Sequence, residues 1–314
     1  QAHAITKGAG SVVAIVDSGI DPRWVPISQR LGGWSGDGSD PWVDSSGHGS
    51  MVAAILMAVA PECQVLSIKP TPAGSSGMSS MDIIRATNEL ARLSLALNSL
   101  IISNHSWGIW GVKNLVLPCT IVLCRALCLL DHLGHGLFCW AAGNNRDLAG
   151  EGTISGYCMN STKWSASCAA VDRNLRPQFY SSFGAQCYPW NPSVCAPTYG
   201  VLPWGSGYMD FKEQGGATSS CAPMLSGTMA LIHSEYPNLK PDELRAAVRM
   251  SARNDLVGLP GVFHHPATGS GLLQVDSAIQ SAPGAKIHPW YLIEKTTPSN
   301  IAQLGKEPER RFKQ

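Results

Sequence analysis

The sequence predicts an α/β fold built on a doubly wound, mainly parallel sheet with helices on both faces. Three observations carry this: apolar runs of strand length, helical patterns alternating with them, and 314 residues, enough for one large buried core. The segments SVVAIVDSG (11–19), CQVLSIKP (63–70), SLIISNHSWG (99–108), HGLFCWAAGNN (135–145) and SASCAAVD (165–172) are continuously apolar, and read as strands buried on both faces. Helical patterns lie between them near 48–58, 80–98 and 115–133. The most apolar stretch, Leu115 to Trp140, is interrupted by Pro118, Arg125, Asp131 and His132. Those breaks exclude a bilayer span and make it a buried helix followed by a buried strand. After residue 150 the pattern loosens into a Gly, Pro and Trp-rich region, expected to hold loops and short antiparallel strands. A helix returns from about Ser219 to Glu235, and another follows Pro241. From Lys286 the chain is polar and charged, so the expected division is one large domain over 1–285 and a polar C-terminal tail or extension over 286–314. No internal repeat is present.

Composition narrows the partners. Formal charge is +1 and only 14% of residues are charged, so no field favours nucleic acid. Ten cysteines and the acceptor triplet Asn160-Ser161-Thr162 point to a secreted, disulfide-bearing protein. The sequence opens at Gln1 without a charged-then-apolar leader, so any signal or pro-segment is expected to have been removed or left out. An inhibitory pro-segment as partner stays open, and a monomer without a membrane partner is expected.

Ligands of such sheets gather at the carboxyl ends of the strands. Asp17 ends the first strand, Ser106 the third and Asn144 the fourth, while His48 and Ser219 each open a helix after a glycine-rich turn. A serine hydroxyl becomes a nucleophile only when a base takes its proton, an acid orients that base and a donor meets the oxyanion. Ser219, His48, Asp17 and Asn144 supply those four functions. Taken singly, each is more commonly a turn or cap residue, and Asn144 after two alanines and a glycine also suits a left-handed turn.

The segments VVAIVDSGID, GHGSMVAAI, ISNHSWG, AAGNN and ATSSCAP resemble, in order and context, those of the subtilisin-like serine proteases, the subtilases; SGLLQVDSAI resembles the family's closing segment. The resemblance spans about residues 5–285. It implies a subtilisin-like fold, Ser219 as nucleophile, His48 as general base and later acid, and Asp17 as the group that orients His48. Asn144 would donate its amide to the oxyanion, and Ser106, Trp107 and Gly108 would form the edge along which a substrate backbone pairs. A serine endopeptidase acting on peptide or protein through an acyl-enzyme is the implied function, with no cofactor required. Structural calcium is the ligand that the family raises; no ligand set here matches it, and no residue is assigned.

Departures from the family pattern keep other readings open. Ala217 stands where a glycine usually precedes Thr-Ser, Met51 where a second histidine is common, and Thr198 where a glycine is usual. An acyltransferase, peptide cyclase or esterase on a dedicated substrate would use the same triad. A non-catalytic binding module is the third reading, and the intact set of four polar residues opposes it. Cys221, two residues past Ser219, reads as a small buried thiol. Cys119, Cys124 and Cys128 lie on an apolar helix without a second ligand pair, so disulfide or core is expected over a metal, and the pairs His132, His135 and His264, His265 are weak ligands. Asn104 begins a formal glycosylation triplet, but it lies in the substrate strand and is expected to be bare. Trp107 is either cleft-edge packing or a substrate contact.

Overall fold

Residues 1–71, 77–108, 118–145, 164–184, 192–198, 200–204, 207–211, 217–254, 265 and 267–284 are described by a computed structural model. Val12–Val16 (β1) is central because all five side chains are apolar and both faces are covered. Around it run Arg30–Ser35 (β2), Gln64–Lys69 (β3), Ile101–His105 (β4), Gly136–Ala141 (β5), Ser165–Val171 (β6) and Val194–Pro197 (β7). The seven are parallel in the order β2-β3-β1-β4-β5-β6-β7. From β1 the chain winds first to one side and, from β4, to the other. The switch between them is where ligands of open parallel sheets bind.

Side-chain parity divides the core into two layers. Val13 and Ile15 pack with His48–Val59 (α1), Ala217–Glu235 (α4), Pro241–Met250 (α5) and Val275–Ser281 (α6). Val12, Ala14 and Val16 face the opposite way, towards Ser80–Leu97 (α2), and Phe138 and Trp140 pack there with Pro118–His132 (α3). α1 and α4 are buried along most of their length, which suits their near-continuous apolar sequences. They approach closely at Gly227, where an added Cβ would lie 2.8 Å from Val59 Cγ1. Each fully buried Leu or Met in this layer, such as Leu56 or Met229, contributes about 1.5–3 kcal/mol. Among the described residues no helix is long and apolar enough to cross a membrane.

The expected strands and helices are all present, with α3 beginning at Pro118 and α4 at Ala217. Two parallel strands were not anticipated. The edge strand β2, RLGGWS, hides behind its glycine pair; Gly33 is needed because a Cβ there would meet Ser67 O at 2.2 Å. β7 lies in the stretch expected to be loops and antiparallel strands, yet it extends the main sheet. The antiparallel expectation is met by a hairpin of Gly200–Trp204 (β8) and Gly207–Phe211 (β9). The proposed tail, the Asn160 triplet, Cys119 and Cys124 side chains and His264 lie outside what is described.

Among the described residues the disulfide expectation finds no support. Cys63, Cys139, Cys168, Cys195 and Cys221 are free and buried. Four fill strand and helix positions and Cys63 directly precedes β3, all within the core, where a thiol packs as a small hydrophobe. Burial pushes the Cys63 thiol up to about 12 and raises Cys139, Cys168 and Cys195 as well, which suppresses thiolate chemistry.

Two buried polar features set testable stabilities. The Arg245 guanidinium on α5 forks onto both carboxylate oxygens of Asp131 on α3 and also reaches the carbonyl of Trp164. Removing one partner strands a buried charge, so Arg245→Leu lowers the unfolding free energy by about 3–5 kcal/mol. In urea melts, the double change with Asp131→Leu recovers much of that loss; equal losses in single and double variants would contradict the pairing.

His105 is stacked on Trp140, with centroids 4.0 Å apart, and its Nε2 lies 2.9 Å from Ser103 Oγ. Burial pushes its pKa down to about 3. The unfolded chain takes up that proton near pH 6.5 and the folded chain does not, so stability falls as pH drops from 6.5 towards 3, by up to about 1.4 kcal/mol per pH unit. Burial also lowers the pKa of His233, adding to the trend. Urea midpoints from pH 7 to 4 should decline less steeply in His105→Phe; an unchanged slope would exclude His105 as the cause.

Candidate active site

Asp17 follows β1, Ser106 follows β4 and Asn144 lies three residues past β5, so three adjacent strands deliver them to one sheet edge. His48 enters as the first residue of α1. Its neighbour Gly49 lets the helix start lie on the turn after β1: a Cβ there would be 2.0 Å from Gly19 O and 3.1 Å from Asp17 Cβ. No other residue fits that contact. The result is a 2.8 Å hydrogen bond from His48 Nδ1 to Asp17 Oδ1. Asp17 Oδ1 also accepts from Ser18 N at 2.8 Å, and Asp17 is buried while the His48 side chain is 39% exposed. Burial pushes the His48 pKa down, but the charge and hydrogen bond of Asp17, with a further contribution from Asp44, outweigh it and leave it raised above 6.5.

Ser219 stands in the first turn of α4, 8% exposed. Pro223 has no N–H to donate to the Ser219 carbonyl four residues back. Ser106 Oγ supplies that bond at 2.9 Å, and Ser219 Oγ donates to Ser106 O at 2.8 Å. Ser106 is thereby engaged with Ser219 in both directions, and the Ser219 hydroxyl is hydrogen-bonded to Ser106, not to His48. Asn144 is anchored to the residue before Ser219: its Oδ1 accepts from Thr218 N at 3.0 Å and Thr218 Oγ1 at 2.6 Å. Since both contacts are to donors, they occupy the oxygen and leave the Nδ2 hydrogens for another acceptor.

Trp107 packs edge-on against Trp140 and His105, centroids 5.0 and 5.5 Å away, which supports the packing role for its ring; Gly108 is exposed. Ala217 has φ +46°, the left-handed region where glycine is favoured, at a cost of about 1–2 kcal/mol for a residue with Cβ. The departure noted in the sequence is thus a strained position immediately before Thr218. Thr198 is buried and accepts from Tyr180 Oη at 3.1 Å, Met51 is buried in the core, and the Cys221 thiol points to Ala196 O at 3.4 Å. Asn104 is fully buried, its amide donating to Ser106 Oγ at 3.0 Å and its oxygen accepting from Ser226 at 3.2 Å, so no glycan fits.

Sequence reasoning missed Asn104 and Thr218, which hold Ser106 and Asn144. Polar residues flanking the candidate site residues in NHS and ATSS were the available signal. Among the described residues no group of three or more His, Cys, Asp or Glu side chains could hold a metal ion.

The subtilase family model matches residues 8–272. The chain belongs to the subtilase family. Subtilisin DY of Bacillus licheniformis is 28% identical over 283 residues, covering 87% of this chain and 92% of that protein. Among solved structures, a serine protease of Aeromonas sobria superposes with a TM-score of 0.73 at 20% identity, covering 90% of this chain and 62% of that one. The prenylagaramide maturation protease PagA superposes at 0.69 with 22% identity, covering 90% and 97%. This subtilase is a subtilisin-like serine protease, a hydrolase whose substrates are peptides or proteins. The shared fold accounts for the site lying at the switch between β1 and β4.

Proposed function

We propose that this subtilase is an endopeptidase working through an acyl-enzyme on Ser219, with His48 as general base and Asp17 as its orienting acid. The observation that carries the reading is the 2.8 Å bond between His48 Nδ1 and Asp17 Oδ1. With the Nδ1 hydrogen donated to Asp17, the lone pair lies on Nε2, the nitrogen on the far side of the ring from Asp17. The Ser219 hydroxyl must rotate about χ1 from Ser106 O towards that nitrogen, giving up one hydrogen bond worth about 1 kcal/mol. Attack on the scissile carbonyl then moves the hydroxyl proton to Nε2, and Asp17 stabilises the imidazolium. The Asn144 Nδ2 hydrogens face the oxyanion while Thr218 holds the other end of that amide. His48 returns the proton to the leaving amine, and water repeats the cycle on the acyl-enzyme.

Every step is supplied by side chains of this chain. Backbone from Ser106 to Gly108 would pair with the substrate strand, and Trp107 would support that edge from below. Secretion belongs to the same reading on the strength of the family; the buried free thiols are shielded from oxidants and are compatible with it.

Only neutral His48 accepts the proton, and its pKa is raised. The rate should therefore climb with pH through a single midpoint above 6.5. The folding contribution of the His48–Asp17 pair runs the other way: it is complete below about pH 6.5 and is lost as pH rises through the folded pKa. Digestion of a mixed peptide set, read by mass spectrometry between pH 5 and 9, tests the reading. Hydrolysed peptides with that midpoint are expected; joined chains, ester cleavage alone or a flat rate would contradict it.

A further inference from the structure

Asp44 lies four residues before His48 and is absent from the set of groups assigned to the reaction. Its carboxylate accepts five hydrogen bonds from both sides of the Asp17–His48 pair. Oδ1 takes Ser18 Oγ at 2.8 Å, Gly47 N at 2.9 Å and Ser46 N at 3.1 Å. Oδ2 takes Ser50 N at 2.8 Å and Ser50 Oγ at 2.6 Å. Ser18 follows Asp17 directly, and its hydroxyl also accepts from Gly49 N at 3.0 Å. Ser50 in turn accepts from Asp21 N at 2.8 Å. The turn after β1 and the start of α1 are therefore tied together through one side chain.

We propose that Asp44 is a positioning residue of the protease site, fixing the turn that carries Asp17 against the helix start that carries His48 and adding a second negative charge near the imidazole. Gly47 at the helix start has no side chain with which to cap it; Asp44 takes Gly47 N and Ser50 N directly, while Ser18 Oγ, itself held by Asp44, takes Gly49 N and Ser46 Oγ takes His48 N. Those same donors hold Asp44 ionised: burial opposes the charge, and the hydrogen bonds from Ser50, Ser18 and Gly47 outweigh it, lowering its pKa. Among the described residues, Asp17 and Asp44 are the charges that act on His48. Both favour imidazolium, so losing Asp44's charge weakens the base.

The proposal rests on His48 serving as base, and its test separates the two. Proton titration of histidine-labelled protein by NMR, with the His48 signal assigned from a His48→Gln variant, is run in the Ser219→Ala background. Asp44→Asn should move the His48 midpoint to lower pH; in the active chain it should move the rate midpoint the same way and lower kcat about ten- to a hundredfold, with little change in KM. Asp44→Glu restores the charge on a longer stem, so it should recover the midpoint but not kcat. Ser18→Ala, which cuts one arm only, should give a smaller fall in kcat and serves if Asp44→Asn fails to fold. A His48 midpoint and kcat unchanged in Asp44→Asn, with thermal stability alone reduced, would overturn the proposal. A shifted His48 midpoint in a chain that cuts no peptide would leave Asp44's role standing and reject the protease mechanism.

Discussion

Ser219→Ala loses peptide hydrolysis by on the order of 10⁶-fold in kcat, the size of effect measured in subtilisin itself. The folded state should hardly notice. Alanine fits the volume, and the hydroxyl gives up one bond, to Ser106 O, worth about 1 kcal/mol. The Ser219 carbonyl keeps its bond from Ser106 Oγ, so the first turn of α4 stays in place. Turnover measured beside a thermal melt separates lost chemistry from lost structure. Retained hydrolysis in a folded variant would remove Ser219 from the mechanism.

Asp17→Asn should lower kcat by on the order of 10⁴-fold, an effect of the kind seen when an orienting aspartate becomes an amide. In the native site Asp17 Oδ1 accepts from both His48 Nδ1 and Ser18 N. With its oxygen in the Oδ1 place an amide keeps both donors but lacks the charge that stabilises the imidazolium, and turned to present its NH₂ to His48 it gives up Ser18. The second pairing moves the imidazole hydrogen to Nε2, where it blocks proton transfer from Ser219. Binding of substrate should change little, so kcat falls and KM does not. A loss confined to KM would show that Asp17 shapes the cleft without orienting the base.

How much of this was legible in the sequence depended on whether a residue's neighbours are local. The buried strands were readable because both faces of a parallel sheet demand apolar side chains, as in Val12–Val16. The edge strand β2 was not, because Gly33 serves close approach to β3, Gly32 takes φ +110° at a shift in register, and neither carries a hydrophobic pattern. Asp17, His48, Asn144 and Ser219 stood out at strand ends and helix starts. Asn104, Thr218 and Asp44 did not, since their worth lies in hydrogen bonds that folding creates: Asn104 bonds Ser226 across 122 positions and Thr218 bonds Asn144 across 74. The cysteine count was ambiguous for a related reason. Ten thiols suggest disulfides by number, but several occupy core-facing positions of strands and a helix, where they pack as apolar side chains. Ala217 was visible as a departure, but its left-handed backbone was not, because φ is set by the turn into α4.

The most direct test of the central claim, that Ser219 is a nucleophile activated by His48 and Asp17, is labelling with a fluorophosphonate followed by intact mass and peptide mapping. The account predicts one adduct on Ser219, absent from Ser219→Ala and greatly slowed in Asp17→Asn. No adduct, or one mapped to Ser220 or any other residue, would contradict it.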